Sequence, residues 1–388
     1  MAGLTTVDVD AFHAMALFRR ALQAGRLPLD DAFAYTPTVF PVVHHEWGTG
    51  AVLWALWEGT GRGPAGLSAL RYALLGVILA GACLVARWRG ATAAAAAVAS
   101  PMAGMLLLFG ASPVRGQLFT LALLTVLLVF LEADRRGARW WIAPWLPLCL
   151  AWTNLHGGYV VGLGALALAI ADRAWAAGAP RAAWKDVRHL LPVLAAMCGA
   201  LLLTPYGVAY PRYLLRALTM PRPGIMEWLP VWAAPFRGYA IPVFGMSPAL
   251  VAYAVWKTGV RAGSGLPLLA VLAVASLFSS RHLSLYAIAF VASSAPALAG
   301  TELALLLARS WGRRPWLLAA VALLCLGLGV WKTVAARAWR LRLPDRGAAA
   351  TSSTPWARST AWRRAASPAT CSRASTTAPT SRGASLPG

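Results

Sequence analysis

Long apolar segments separated by short polar connections make up most of this chain. The apolar segments are continuous and lack the two-residue alternation that is typical of half-buried strands. Windows long enough to cross roughly 30 Å of hydrocarbon predict spans near residues 66–86, 91–110, 117–133, 140–154, 158–174, 190–204, 238–256, 264–280, 283–300 and 315–332. Only helices or closed barrels satisfy the backbone in lipid, and a barrel would need alternation. The pattern therefore predicts an all-α, polytopic transmembrane helical bundle of about ten spans.

The remaining parts of the chain lie on either side of this bundle. Residues 1–65 form a predicted loop domain, residues 66–332 the transmembrane domain, and residues 333–388 a basic tail. Within the loop domain, residues 10–24 predict an amphipathic helix that ends at Gly25. Its predicted apolar face consists of Phe12, Met15, Ala16, Phe18 and Leu22.

A second helix is predicted over residues 46–58. It is too short to span a membrane and is rich in tryptophan, so we expect it to lie along the membrane surface. The other tryptophans, Trp140 and Trp141 among them, are interpreted as anchors at the membrane interface.

Composition supports the membrane assignment and excludes two other classes. Of the 388 residues, 59% are hydrophobic and only 12% are charged, whereas soluble domains carry roughly 25% charged residues. The formal net charge of +22 would suit a nucleic-acid-binding protein. However, most of the arginines lie in short connections between apolar segments or in the tail, which is typical of a membrane protein. We therefore predict that nucleic acid is not a partner.

The basic connections predict the topology. Alternating connections place one group of residues on a single side, which the positive-inside rule makes cytoplasmic: Arg87, Arg89, Arg135, Arg136, Arg139, Arg173, Arg181, Lys185, Arg188, Lys257, Arg261, Arg309, Arg313 and Arg314. The other side then receives the N-terminal block and five short motifs, at residues 112–117, 154–158, 204–207, 227–228 and 281–282. Because ionisable groups at a membrane edge are functional candidates, we predict an extracytoplasmic site formed by these segments.

Each of these motifs also has a purely structural interpretation. Asp10 is placed to cap the helix that it begins, or to act as a general base or metal ligand. Arg115 could bind a lipid-linked phosphate or only ordinary headgroups. Asn154 and His156 precede two glycines that could simply reverse the chain. Adjacent side chains point in different directions, so a metal ion shared by His44, His45 and Glu46 is not expected.

Taken together, the motifs resemble a known family. The N-terminal block contributes three of them, which are Asp8-Val9-Asp10 with His13, the turn at residues 28–36 and His45-Glu46-Trp47. The later motifs are, in order, Arg115-Gly116-Gln117, Asn154-Leu155-His156-Gly157-Gly158, Thr204-Pro205-Tyr206-Gly207, Glu227-Trp228 and Arg281-His282. This order, over about residues 5–300, is similar to that of a largely uncharacterised family of bacterial multi-spanning proteins in the GT-C glycosyltransferase superfamily.

The resemblance implies a function and a location. GT-C enzymes take sugars from polyprenyl-phosphate donors on the outer face of the membrane, and a large first external loop carries two surface helices and an acidic residue. This chain would then be a glycosyltransferase of the bacterial inner membrane and cell envelope, in contact with the lipid bilayer and a polyprenyl-phosphate-linked sugar. A divalent cation such as Mg²⁺ or Mn²⁺ is a candidate cofactor, because members of the superfamily differ in metal dependence.

The resemblance also suggests roles for individual residues. Asp10, with Asp8 as the second candidate, would activate the acceptor. The candidates for binding the sugar or its phosphate are His13, His45, Glu46, Arg115, Gln117, Asn154, His156, Glu227, Arg281 and His282.

Two departures from the family pattern lead to further expectations. Relatives carry a transmembrane helix before the Asp-x-Asp loop, but this chain begins seven residues before Asp8, so we expect a start codon assigned too late. From about residue 343 the composition changes to Ala, Ser, Thr, Arg and Pro. We interpret this as either a disordered tail or the product of a one-base frameshift. Two alternatives to an enzyme remain, a non-catalytic transporter or flippase of lipid-linked sugars and an inactive truncated fragment.

Overall fold

Helices dominate the computed structural model of the chain. The structure describes residues 7–313, except 32, 35–37, 223–224, 234–237, 239 and 260–263, together with a few isolated positions between 316 and 335. The α-helices are α1 (Val9–Ala24), α2 (Trp47–Trp54), α3 (Pro64–Trp88), α4 (Ala93–Ala111), α5 (Gly116–Arg135), α6 (Ile142–Leu155), α7 (Tyr159–Ala177), α8 (Pro180–Val187), α9 (Leu190–Ala200), α10 (Ala209–Thr219), α11 (Ala240–Thr258), α12 (Leu266–Phe278), α13 (Leu283–Ala299) and α14 (Glu302–Arg313).

Short helical turns complete this set. A π-helical turn at Ala55–Gly59 continues α2, and 3₁₀ turns lie at Met226–Trp228 and at Ser280–His282. Among the described residues the only β-type pairing is one isolated parallel bridge, between Val7 and Val114. The all-α prediction is confirmed for the part of the chain that the structure describes.

Six helices in the described ranges are long and apolar enough to cross a membrane, which marks the chain as an integral membrane protein. They are α3, α4, α5, α7, α11 and the segment Ser280–Ala299 that contains α13. In α5 and in Ser280–Ala299, 83% of the apolar window is buried, against 22% to 39% in the other four. These two helices therefore form the centre of the bundle, and the others surround them.

The remaining predicted spans correspond to shorter helices or lie beyond the description. The segments predicted at 140–154, 190–204 and 264–280 contain α6, α9 and α12, with 14, 11 and 13 residues. A single helix needs roughly 20 residues to cross the hydrocarbon layer. The span predicted at 315–332 and the tail at 333–388 lie almost entirely outside the described residues.

The two helices predicted in the loop domain are present, and they pack against each other. A β-carbon at Gly50 would lie 2.2 Å from the Ala14 carbonyl oxygen, so only glycine allows α1 and α2 to pack this closely. In turn, α2 is bonded to the C-terminal end of α6. The Thr49 hydroxyl donates to the Leu155 carbonyl oxygen at 2.6 Å, and Trp47 Nε1 donates to Asn154 Oδ1 at 3.0 Å.

The predicted apolar face of α1 is partly wrong. Met15 is buried, but Leu22 is 51% exposed and Ala16 is exposed as well. The buried positions are Ala11, Ala14, Met15, Leu17 and Ala21. Three of these five are alanines, and at one of them, Ala14, the α1 backbone closely approaches Gly50 of α2. The buried face of this helix therefore combines small residues with the apolar side chains of Met15 and Leu17.

The tryptophans after α5 also differ from their prediction. Trp140 is 64% exposed, as expected of an interface anchor, but Trp141, Trp145 and Trp152 are fully buried in the core. The indole Nε1 of Trp141 donates to Asp134 Oδ1 at 2.8 Å, which explains how its polar atom is accommodated.

Several of the basic residues that set the predicted topology meet at one end of the bundle. Arg89 Nε pairs with Glu132 Oε2 at 2.9 Å, and Arg135 pairs with Asp172 at 2.7 Å. These contacts join the C-terminal parts of α3, α5 and α7. The N-terminal ends of α5 and α7 lie at the opposite end of the bundle and carry the site described next.

The close packing at Gly50 leads to a stability prediction. Gly50→Ala places a methyl group against the backbone of α1, and we expect it to lower the free energy of unfolding by about 1–3 kcal/mol, as overpacking does in cores. Thermal unfolding of the detergent-solubilised protein measures the effect. Gly76→Ala is the matched control, because a β-carbon there meets nothing within 4 Å. Equal unfolding temperatures for the two variants would contradict the packing argument.

Candidate functional site

A cavity of about 1040 Å³ lies where α1, the segment before α2, α10 and the first turns of α5, α7 and α13 meet. All but one of the predicted site residues line it: Asp8, Asp10, His13, His45, Glu46, Arg115, Gln117, His156, Glu227, Arg281 and His282. These residues come from segments as far apart in the chain as α1 and α13. The cavity is therefore a product of tertiary packing.

Asp8 connects the loop domain to α5. The bridge between Val7 and Val114 aligns the two backbones, and Asp8 Oδ2 lies 3.5 Å from Arg115 Nη1. Asp8 Oδ1 also accepts from the Asp10 backbone N–H at 3.2 Å and so caps α1. The interpretation of Asp10 as the cap is thus wrong, because α1 begins at Val9, one residue earlier than the pattern indicated. Asp10 does not cap α1, and it lines the cavity.

The carboxyl group of Asp10 is electrostatically unusual. Partial burial raises its pKa above the ordinary value of 3.8, and the neighbouring carboxylates of Asp8 and Glu46 raise it further, while Arg115 opposes the change. A carboxylate with a raised pKa is a stronger base than an ordinary aspartate. Asp10 is therefore suited to accept a proton from a bound hydroxyl group.

Glu227 bridges two arginines at the centre of the cavity. Its Oε2 atom lies 2.5 Å from Arg115 Nη2, and its Oε1 atom accepts from Arg281 Nη1 at 2.7 Å. Gln117 lies beside the same pair, since its Oε1 atom accepts from Arg115 at 2.5 Å and its Nε2 atom donates to the Arg281 carbonyl oxygen at 3.2 Å. Both guanidinium groups are thereby held in fixed positions.

The hydrogen bonds around His156 determine its tautomer. The Gly158 backbone N–H can only donate, and it lies 2.9 Å from His156 Nδ1, so this nitrogen carries no hydrogen. The Thr120 hydroxyl lies 2.8 Å from the same nitrogen and accepts from Trp152 Nε1 at 2.9 Å, which leaves its hydrogen free to donate to the ring. The neutral ring therefore carries its hydrogen on Nε2, which lies 3.2 Å from Glu46 Oε1. Arg281 Nη2 lies 3.1 Å from the same nitrogen and, because both groups are donors, acts on the ring as a neighbouring positive charge and not as a hydrogen-bond partner.

Glu46 and His156 form a pair of one anion and one neutral ring. Burial lowers the pKa of His156, and Arg281, 3.1 Å from Nε2, lowers it too, against the opposing effect of Glu46. Burial alone would raise the pKa of Glu46, but the contacts with His156 and His45 outweigh this and hold it well below its ordinary value. At neutral pH the pair places one negative charge in the cavity wall.

Glycine makes this convergence possible. A β-carbon at Gly116 would lie 2.9 Å from His156 Cδ2 and 3.1 Å from Glu46 Oε2. The first turn of α5 can therefore touch the His156–Glu46 pair only because residue 116 has no side chain.

His44 and His45 point in different directions, as expected from their adjacency. His44 Nε2 contacts the Asp30 carbonyl oxygen at 3.1 Å, whereas His45 Nδ1 lies 2.9 Å from the Tyr213 hydroxyl. In the part of the chain that the structure describes, no group of three or more histidine, cysteine or acidic side chains has metal-binding geometry.

Asn154 is the predicted site residue that does not line the cavity. Its Oδ1 atom accepts from Trp47, and its Nδ2 atom donates to the Leu150 carbonyl oxygen at 2.9 Å. Asn154 thus ties α2 to the end of α6 and positions the cavity wall indirectly. His13 and His282 do line the cavity, His13 in edge-on contact with Phe33 and His282 3.3 Å from the Ser279 carbonyl oxygen.

The sequence interpretation missed several polar residues of the site, among them Tyr213 and Arg222. The ring of Tyr213 stacks on His45 with a centroid distance of 5.0 Å, and the Arg222 guanidinium lies 4.1 Å from the centroid of Trp228. Arg281 approaches the same indole at 5.2 Å, so Trp228 contacts two cations. For Tyr213 the available signal was the amphipathic pattern of residues 209–219, which places Tyr213 with Arg212 and Arg216 on the side away from the leucines.

One wall of the cavity is apolar and open. Leu214, Ala217 and Leu218 of α10 line it together with Ile225 and Met226. Leu218 is 62% exposed and Met226 is 64% exposed on the protein surface. The cavity is therefore charged at its centre and apolar along one open side.

No protein-family model, curated protein sequence or solved structure matches this chain.

The Glu46–His156 pair predicts a pH dependence of stability. The lowered pKa of His156 means that stability decreases as pH falls below 6.5, where the unfolded ring gains a proton first. The lowered pKa of Glu46 adds a second loss below 4.5. Because Glu46 opposes the lowering of the His156 pKa, we expect Glu46→Gln to keep or deepen the first loss and to show a smaller second loss than the wild type, in thermal unfolding measured between pH 7 and pH 3.

Glu58→Gln, which removes an exposed acid outside the cavity, is the control and should follow the wild-type profile. Parallel wild-type and Glu46→Gln profiles below pH 4.5 would contradict the assignment of an ionised Glu46.

Proposed function

We propose that this protein is a membrane glycosyltransferase of the GT-C type that transfers a sugar from a polyprenyl-phosphate donor to an acceptor hydroxyl. The observation that carries the proposal is a single large cavity that combines a pair of fixed arginines, an aspartate with a raised pKa and an apolar open wall. Each of these three features suits one part of such a reaction.

The arginines suit the phosphate of the donor. The guanidinium groups of Arg115 and Arg281 lie on either side of the Glu227 carboxylate, so the gap between them has the width of one carboxylate. Guanidinium groups bind phosphate oxygens through paired, charge-assisted hydrogen bonds. The departing phosphate gains negative charge as the bond to the sugar breaks. Cations already held in position stabilise this charge without reorganisation.

The apolar wall suits the lipid part of the donor. Leu218 and Met226 are exposed, in a protein whose described residues include six candidate membrane spans, and the wall that they form continues into the charged centre of the cavity. A prenyl chain could lie against this wall while its phosphate reaches the arginines. A water-soluble nucleotide sugar would gain nothing from such a surface.

Asp10 suits the acceptor. In the proposed step the acceptor oxygen attacks the anomeric carbon, the bond from that carbon to the phosphate oxygen breaks, and the hydroxyl proton passes to the Asp10 carboxylate. The products are the glycosylated acceptor, the free polyprenyl phosphate and a protonated Asp10, which later loses its proton to solvent. No step in this scheme uses a metal ion.

The orientation of the chain in the membrane is part of the proposal. The basic ends of α3, α5 and α7 suit the cytoplasmic side under the positive-inside rule. The cavity at the other end of α5 and α7 would then face outward from the bacterial inner membrane. The α1–α2 pair beside it matches the two surface helices that GT-C enzymes carry in their first external loop.

Replacing Asp10 tests the proposed base. We expect Asp10→Asn to lower sugar transfer by at least about 10²-fold, the usual contribution of a general base, while membrane insertion is unchanged. Transfer is measured in membranes with a radiolabelled polyprenyl-phosphate sugar. Wild-type transfer by Asp10→Asn would remove Asp10 from the mechanism. Movement of the lipid-linked sugar across the membrane that survives replacement of both Asp8 and Asp10 would favour a flippase instead.

Replacing Asp8 tests the electrostatic coupling. The Asp8 carboxylate raises the pKa of Asp10, so we expect Asp8→Asn to shift the acidic limb of the pH–rate profile to lower pH. Asparagine caps helices about as well as aspartate, so α1 should remain intact. An unchanged acidic limb would indicate that a group other than Asp10 controls the rate.

A further inference from the structure

The Glu227 carboxylate binds the two arginines as a phosphate would. Each of its oxygens contacts a different guanidinium group, at 2.5 Å from Arg115 and at 2.7 Å from Arg281. Two non-bridging oxygens of a phosphate present the same pair of acceptors at a similar separation. Phosphate and Glu227 therefore cannot occupy these arginine faces together.

The backbone of Glu227 is anchored independently of its side chain. The hydroxyl groups of Ser279 and Ser280 donate to the Glu227 carbonyl oxygen at 3.2 and 3.0 Å. The Ser280 N–H donates to the Leu229 carbonyl oxygen at 2.9 Å. The carboxylate can thus leave the arginines by side-chain rotation, without any movement of the segment that carries it.

The arginines are also held by groups other than Glu227. Arg115 contacts Asp8 and Gln117, and Arg281 packs against Trp228, whose other cationic neighbour is Arg222. Both guanidinium groups would therefore stay in position when the Glu227 carboxylate rotates away. The site keeps its shape while one anion replaces another.

From this geometry, and on the basis of the function proposed above, we infer that Glu227 is an internal competitor for the phosphate of a prenyl-phosphate ligand. Its carboxylate neutralises the arginine pair until the lipid phosphate displaces it. This exchange keeps two cations from being unpaired at the membrane edge, where an isolated charge is costly. It also lowers the affinity for the lipid phosphate, which favours release of the product carrier.

Direct binding measurements test this inference without any need for sugar transfer. The full-length protein in detergent or nanodiscs is titrated with farnesyl phosphate by calorimetry, with farnesol as the tail-only control. We expect Glu227→Gln to bind farnesyl phosphate about tenfold more tightly than the wild type, since its amide competes less well for two cations. Affinity for farnesol should not change.

Asp31→Asn is the matched control. Asp31 lines the same cavity, and its Oδ1 atom accepts from the Phe33 N–H rather than from an arginine. The substitution removes the same charge from the cavity but leaves the arginine pair untouched, so we expect less than about a twofold change in affinity. An equal gain in Asp31→Asn and Glu227→Gln would overturn the inference, because general electrostatics would then explain both.

The remaining outcomes separate this inference from the proposed function. Unchanged or weaker binding by a cooperatively folded Glu227→Gln, with normal wild-type binding, overturns the competitor role alone. Absence of farnesyl phosphate binding in every variant overturns both. If Glu227→Gln does not fold, Glu227→Asp replaces it. Its shorter side chain cannot reach both arginines, so binding tighter than that of the wild type supports the inference and weaker binding overturns it.

Discussion

The bridge from Arg115 through Glu227 to Arg281 is the interaction on which the rest of the site depends. It joins the first turn of α5, the segment after α10 and the turn before α13. Near a membrane an unpaired buried charge costs several kcal/mol, so the three groups must meet once the helices pack. Asp8 extends the bridge to the loop domain, and this contact brings Asp10 to the cavity.

The other end of the bundle shows what a purely structural charge cluster looks like in this protein. Asp134 is fully buried, and its two oxygens accept from Arg139, Trp141, Arg173 and His189. The acceptor positions of this carboxylate are therefore taken up by donors of the protein itself. In the cavity, by contrast, Asp10 faces open space with a raised pKa. Acidic and basic side chains therefore stabilise the packing at the end that holds Asp134, whereas at the cavity end we propose that they take part in the reaction.

Sequence motifs identified most of the charged residues that line the cavity, but they did not identify the contacts that each residue makes. Motifs such as Arg115 with Gln117 and Arg281 with His282 stand out because charged groups are rare beside apolar segments. Whether such a group faces a cavity or a neighbouring helix depends on packing, as Asn154 shows by bonding to Trp47. The capping role fell to Asp8 and not to Asp10, since a helix start that differs by one residue changes which side chain can reach the first N–H groups.

The sequence by itself determined the membrane class, the helical fold and the short list of candidate residues, because hydrophobic length and the cost of charge in lipid act locally along the chain. Tertiary structure alone decided the Glu227 bridge, the tautomer of His156 and the apolar wall of α10. The bridge joins Glu227 to Arg281, which is 54 residues away in the chain, and the bond from Gly158 to His156 is supported by Thr120, 36 residues before the ring. No local pattern specifies such contacts, since they depend on how the helices pack, as at Gly116, where the absence of a side chain leaves room for His156 and Glu46.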